Sequence, residues 1–65
     1  MKEYDVVVLN EDINESGLKK GMRGTIIEIF NTPSEEAYEV EFIDESSGKT
    51  IAITTLKPEQ VTKCE

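Results

Sequence analysis

Apolar residues along this chain fall in short runs, each bounded by a polar turn cluster. Tyr4-Asp5-Val6-Val7-Val8-Leu9 is short and β-branched and reads as a first strand. The stretch from Asn10 to Met22 is long, polar and glycine-containing and reads as a loop. Thr25-Ile26-Ile27-Glu28-Ile29-Phe30 is a second strand, followed by the turn cluster Asn31-Thr32-Pro33-Ser34. Tyr38-Glu39-Val40-Glu41-Phe42 alternates strictly. That alternation belongs to a strand with one buried and one wet face, so Tyr38, Val40 and Phe42 point inward and Glu39 and Glu41 outward. Asp44-Glu45-Ser46-Ser47-Gly48 is a hairpin turn in which Gly48 takes the positive φ. Thr50-Ile51-Ala52-Ile53-Thr54-Thr55-Leu56 is a fourth strand. Lys57-Pro58-Glu59-Gln60 fits one helical turn with Pro58 at its first position, and Val61-Thr62-Lys63 fits a brief closing strand. No segment sustains a helical apolar period, so no long helix is expected.

This element order predicts an all-β fold: a small five-stranded SH3-like barrel with one short helical turn before the last strand, formed by residues 1–65 as a single domain. Closing the sheet would protect its edges. The expected core is one cluster of Val6 or Val8, Ile27 or Ile29, Tyr38, Val40, Phe42, Ile51 and Ile53. Register stays open in the second and fourth strands, where apolar residues fall on both faces.

A chain of 65 residues buries only about 60% of the surface its unfolded form exposes. Such a core has no room for a substrate-sized pocket, so function is expected on the outside. Met1-Lys2-Glu3-Tyr4-Asp5 is polar, with no apolar run of about 7–15 residues after it, and no segment approaches the roughly 18 apolar residues of a membrane helix. The single cysteine, Cys64, has no intrachain partner. A cytoplasmic location is the expectation.

Net charge is −7, from 14 acidic and 7 basic residues. Phosphate backbones and anionic lipid repel such a chain, so neither nucleic acid nor membrane is an expected partner, whereas a basic protein is. The charge is unevenly spread. From Gly24 to Gly48 stand Glu28, Glu35, Glu36, Glu39, Glu41, Asp44 and Glu45, with no lysine or arginine. Acids on wet strand faces keep a small protein soluble, but a face of one sign also steers a basic partner.

Catalysis is not expected. Histidine is absent, which removes imidazole acid–base chemistry and the usual zinc ligand sets. Cys64 lacks a base and is expected on a frayed segment, a poor place for a nucleophile. Glu39 and Glu41 lie on a wet face with no pocket to raise a pKa. Asp12-Ile13-Asn14-Glu15-Ser16-Gly17 has the oxygen spacing of the start of an EF-hand loop, but Arg23 stands where the closing glutamate belongs. A solvated loop held by side-chain to backbone hydrogen bonds accounts for it better. No cofactor or metal is expected.

Lys20-Gly21-Met22-Arg23-Gly24-Thr25-Ile26 places two glycines three apart at the entry to a curved strand. It is similar to the KOW-type arrangement in SH3-like barrels of translation and transcription proteins. Gly21 or Gly24 is expected to hold positive φ or to sit where a Cβ would clash. Binding of RNA or the ribosome through Lys19, Lys20 and Arg23 is the functional alternative. That cluster is small, and no exposed aromatic platform accompanies it, since Tyr38 and Phe42 fall on the core face.

Taken together, Tyr4-Asp5-Val6-Val7, the run Gly17 to Ile26, Ala37-Tyr38-Glu39-Val40-Glu41-Phe42, and Gly48-Lys49-Thr50 with Leu56 resemble a bacterial family known as domain of unknown function 4926. The resemblance covers nearly the whole chain and carries no established activity. Small domains that look like it are encoded beside toxin-like genes, which implies an antitoxin or immunity-like role. Ser34-Glu35-Glu36 looks like an insertion that makes the loop before the third strand more acidic than the family pattern requires.

The reading that results is a non-catalytic module that occludes a basic protein, with Glu28, Glu39 and Glu41 central and Glu35, Glu36, Asp44 and Glu45 at the rim. The KOW-like domain touching RNA or the ribosome is the alternative. A third is a homo-oligomer pairing through an edge strand.

Overall fold

A computed structural model describes residues 1–64. Five strands form one antiparallel sheet: β1 (Val6–Leu9), β2 (Arg23–Asn31), β3 (Glu36–Ile43), β4 (Thr50–Leu56) and β5 (Val61–Lys63). Their order across the sheet is β4-β3-β2-β1-β5. Two 3-10 turns, Asn14–Ser16 and Pro58–Gln60, complete the chain. The elements follow in the expected order. β2 and β3 extend past their apolar residues because the ladder continues to the Asn31–Glu36 pair. The turn between them is closed by Thr32, whose N–H donates to the Glu35 carbonyl and whose Oγ1 accepts from the Glu35 N–H at 2.9 Å.

β3 sets the register of its neighbours. Tyr38, Val40 and Phe42 are buried, as the alternation requires. Opposite them on β4 stand Leu56, Thr54 and Ala52. A strand slip of one residue would reverse every side chain, and the small Ala52 and Thr54 complement the large inward residues of β3. Ile51 and Ile53 therefore face away from the core, 46% and 53% exposed, against the expectation. On the other side Gly24 stands opposite both Phe42 and Val7. Val7 and Leu9 are the buried residues of β1, not Val6 or Val8. On β2, Ile26 faces Val40 and is fully buried. A bulge between Ile26 and Glu28 takes up Ile27 and restores the alternation, so Ile29 stands opposite Tyr38 and packs against the core.

The core is completed by residues from connections. Leu18 is fully buried, and Ile13, which pairs with it across a short bridge, packs against the same cluster. Asn10–Met22 is thus anchored to the core by Leu18 and Ile13, while Asp12, Asn14, Glu15 and Gly17 stay exposed. Its polar groups are nonetheless used locally: the Lys20 N–H donates to Asp12 Oδ1 at 2.8 Å. The second 3-10 turn is tied at both ends. The Lys57 N–H donates to Gln60 Oε1 at 2.8 Å, and the Asn10 N–H donates to the Gln60 carbonyl at 2.8 Å. This turn links β4 directly to β5, the two outer strands of the sheet. No ladder joins β4 to β5 among the described residues. Cys64 is not frayed, since its N–H donates to the Val6 carbonyl at 2.8 Å.

Candidate partner-binding face

Side chains at alternate positions of β3 leave the sheet on the side away from the core, and the registers carry that face across its neighbours. One row runs Val6, Thr25, Glu41, Ile53 from β1 to β4. The next runs Glu28, Glu39, Thr55, and a third pairs Phe30 with Ala37. Glu28 and Glu39 are thus directly opposed across an antiparallel pair, and Glu41 lies two residues from Glu39. The three central acids of the sequence reading share one face.

Hydroxyls of β4 orient two of them. Thr55 Oγ1 donates to Glu39 Oε1 at 2.9 Å, and Thr50 Oγ1 donates to Glu41 Oε2 at 2.7 Å. Glu28 is exposed and makes no side-chain hydrogen bond among the described residues. The one ion pair among the described residues, Lys63 with Asp5 at 3.9 Å, lies elsewhere, on β5 and at the entry to β1.

The four rim acids divide into two pairs at opposite ends of β3. Glu35 and Glu36 sit at its start, and Asp44 and Glu45 in the hairpin beyond its end. Glu36 takes a place of its own, because its carboxylate acts on the Tyr38 phenol. Burial pushes the Tyr38 phenol up, and the nearby Glu36 carboxylate adds to that shift. Asp44 is committed to its turn. Its Oδ1 accepts from Ser46 Oγ at 2.7 Å and from the Ser46 N–H at 2.9 Å, and these bonds hold the carboxyl below its usual range. A shallow cleft of ≈ 540 Å³ beside the β2–β3 turn is lined by Glu35, Glu36, Lys57 and Glu59 among others.

Apolar residues also belong to this face, Val6 and Ile53 among them, against the inward position expected from the sequence. Val6, Phe30, Ile43 and Ile53 are all exposed at its margin. The alternation of β3 fixes their direction only once the registers across the ladders are known. Every partner of Glu39 or Glu41 is then outward too.

The basic residues are spread differently. Lys19 and Lys20 are exposed in the Asn10–Met22 segment, while Arg23 opens β2 opposite Val8. Arg23 also shares a shallow cleft with Asp44 and Glu45. Of the paired glycines, Gly21 holds φ +93°, and Gly24 sits where a Cβ would clash with Val40 and Phe42.

The family described as domain of unknown function DUF4926 matches residues 3–63 of the chain. No curated protein and no solved structure gives a significant match.

Proposed function

The chain belongs to the DUF4926 family, and from that membership and the geometry of its outer sheet face we propose that it is a non-catalytic, cytoplasmic protein-binding module that occludes a basic partner. An antitoxin or immunity-like role fits such occlusion. The fold would be that of a small SH3-like barrel, a reading supported by the element order and by the short second 3-10 turn between β4 and β5.

One observation carries the proposal. Glu28 and Glu39 oppose each other directly, with Glu41 beside them and no cation within salt-bridge reach among the described residues. Like charges opposed across strands weaken a sheet by about 0.2–1 kcal/mol. A basic side chain from a partner would convert that cost into attraction. The exposed Val6, Phe30, Ile43 and Ile53 at the margin supply the apolar area that a face of charge alone lacks.

The test is a pull-down from the native host with wild type and with Glu39→Lys plus Glu41→Lys, followed by association kinetics of the captured partner at several salt concentrations. Wild type should retain a basic protein that the double variant releases, and its association rate should fall as salt rises. If the double variant keeps the same partners at the same affinity, the acids serve solubility only and the proposal fails.

A further inference from the structure

The two outer strands of the sheet differ sharply. β5 has three residues and carries Lys63, the short and charged form in which proteins blunt an edge. β4 has seven residues, no charge and no proline. It is rich in β-branched residues, and its outer Ile51 and Ile53 are exposed. A strand of this kind offers unpaired backbone groups to another strand.

The residues of β4 suit the same strand of a second copy. Thr50-Ile51-Ala52-Ile53-Thr54 reads the same in both directions. Two identical antiparallel strands about a twofold axis set residue i of one copy against j of the other and j against i, whatever the sequence; with Ala52 on the axis, this sequence sets isoleucine against isoleucine and threonine against threonine. We propose that β4 pairs with β4 of a second copy, antiparallel and centred on Ala52, to give a twofold dimer. This goes beyond the basic-partner reading and does not depend on it.

In this register Ile51 of each copy meets Ile53 of the other, Ala52 meets Ala52, and four exposed isoleucines form one apolar cluster over the axis. The bulge that sets Ile43 beside Thr50 kinks only the beginning of β4, so regular pairing is concentrated on Ile51–Ile53. Charge selects the register. Centring on Ala52 brings the exposed Lys49 of each copy beside Thr55 of the other, whose hydroxyl holds Glu39. Centring on Ile53 instead would set Lys49 against Lys57.

Sedimentation equilibrium of the full chain over a wide concentration range tests this. The interface is small, so association is weak and concentration-dependent. The mean mass should rise from 7.3 kDa toward twice that value. Ile53→Lys should hold the chain monomeric while preserving its fold, because the new lysine stands opposite Glu41 of its own chain. Lys49→Glu should weaken association by about tenfold, since the axis doubles each contact and an attraction becomes a repulsion. Glu39→Lys combined with Lys49→Glu should restore it. A wild type that stays monomeric throughout overturns the proposal, as does a dimer indifferent to Ile53→Lys. Failure of the charge swap to restore association overturns the Ala52-centred pairing.

Discussion

Gly24 is where a missing side chain lets two strands of the sheet pack closely over the core. A Cβ there would stand 2.6 Å from Val40 Cγ1 and 2.9 Å from Phe42 Cε1, and both of those side chains are fully buried. Gly24→Ala should cost about 1–3 kcal/mol through overpacking, and Gly24→Val more. The urea midpoints of the two variants measure this, and a midpoint equal to wild type would show that the core can yield. Gly21 is constrained by backbone alone, since a Cβ there meets open space at φ +93°. A different residue-scale effect belongs to Tyr38, whose phenol is pushed above its usual value of 10.0 chiefly by burial and then by Glu36. Its folded form is therefore the protonated one. Above pH 10.0 the unfolded chain loses this proton first, so stability falls as pH rises through the folded pKa. Tyr38→Phe should lose less stability over that alkaline range. Parallel melting curves for wild type and variant, with equal losses, would rule out this contribution.

At the scale of strands, β3 carries the organisation of the sheet. Its alternation is regular: β2 takes its phase from it through a bulge between Ile26 and Glu28, while β4 runs in step with it from Leu56 to Ala52 and shifts only beside Ile43. Phe42→Ala should cost about 3–5 kcal/mol, while Ile53→Ala, on the exposed face, should cost less than about 1 kcal/mol. Chemical denaturation of the two variants checks the register of β4 directly, and a large loss at Ile53 would place it in the core after all. The acidic pair gives a second measurement. Among the described residues the Glu28 side chain holds no hydrogen bond that a substitution would break, unlike Glu39 and Glu41. Glu28→Lys should thus raise stability by about 0.2–1 kcal/mol, by replacing a repulsion across β2 and β3 with an attraction. A lower melting temperature for Glu28→Lys would mean that the carboxylates are already accommodated.

Over the whole molecule the net charge of −7 bears on the choice of partner. Lys19 and Lys20 lie in the Asn10–Met22 segment, and Arg23 lies beside Asp44 and Glu45. Three cations so placed release few counterions, and acids stand next to one of them. Titration with mixed RNA and DNA oligonucleotides at physiological salt should show no binding. Micromolar affinity would instead favour the KOW-like reading through Lys19, Lys20 and Arg23.

The strands, their order, the Gly48 hairpin, the inward set of β3 and the outward Glu39 and Glu41 were all legible in the sequence, because turn residues and an alternation of two are local properties. The family was legible for a related reason, its motifs being spread over most of the chain. The phases of β1, β2 and β4 were not. Each contains apolar residues at adjacent or alternate positions that satisfy either face, so local patterning is degenerate there. The choice was made by volume across the ladder: Gly24 admits Phe42 and Val7, and Ala52 and Thr54 fit opposite Phe42 and Val40. The same contacts turned Ile51 and Ile53 outward and set Glu28 against Glu39. They also drew Leu18 from a polar stretch into the core. Only tertiary structure could decide these, because burial belongs to whichever residue the neighbouring strand leaves room for.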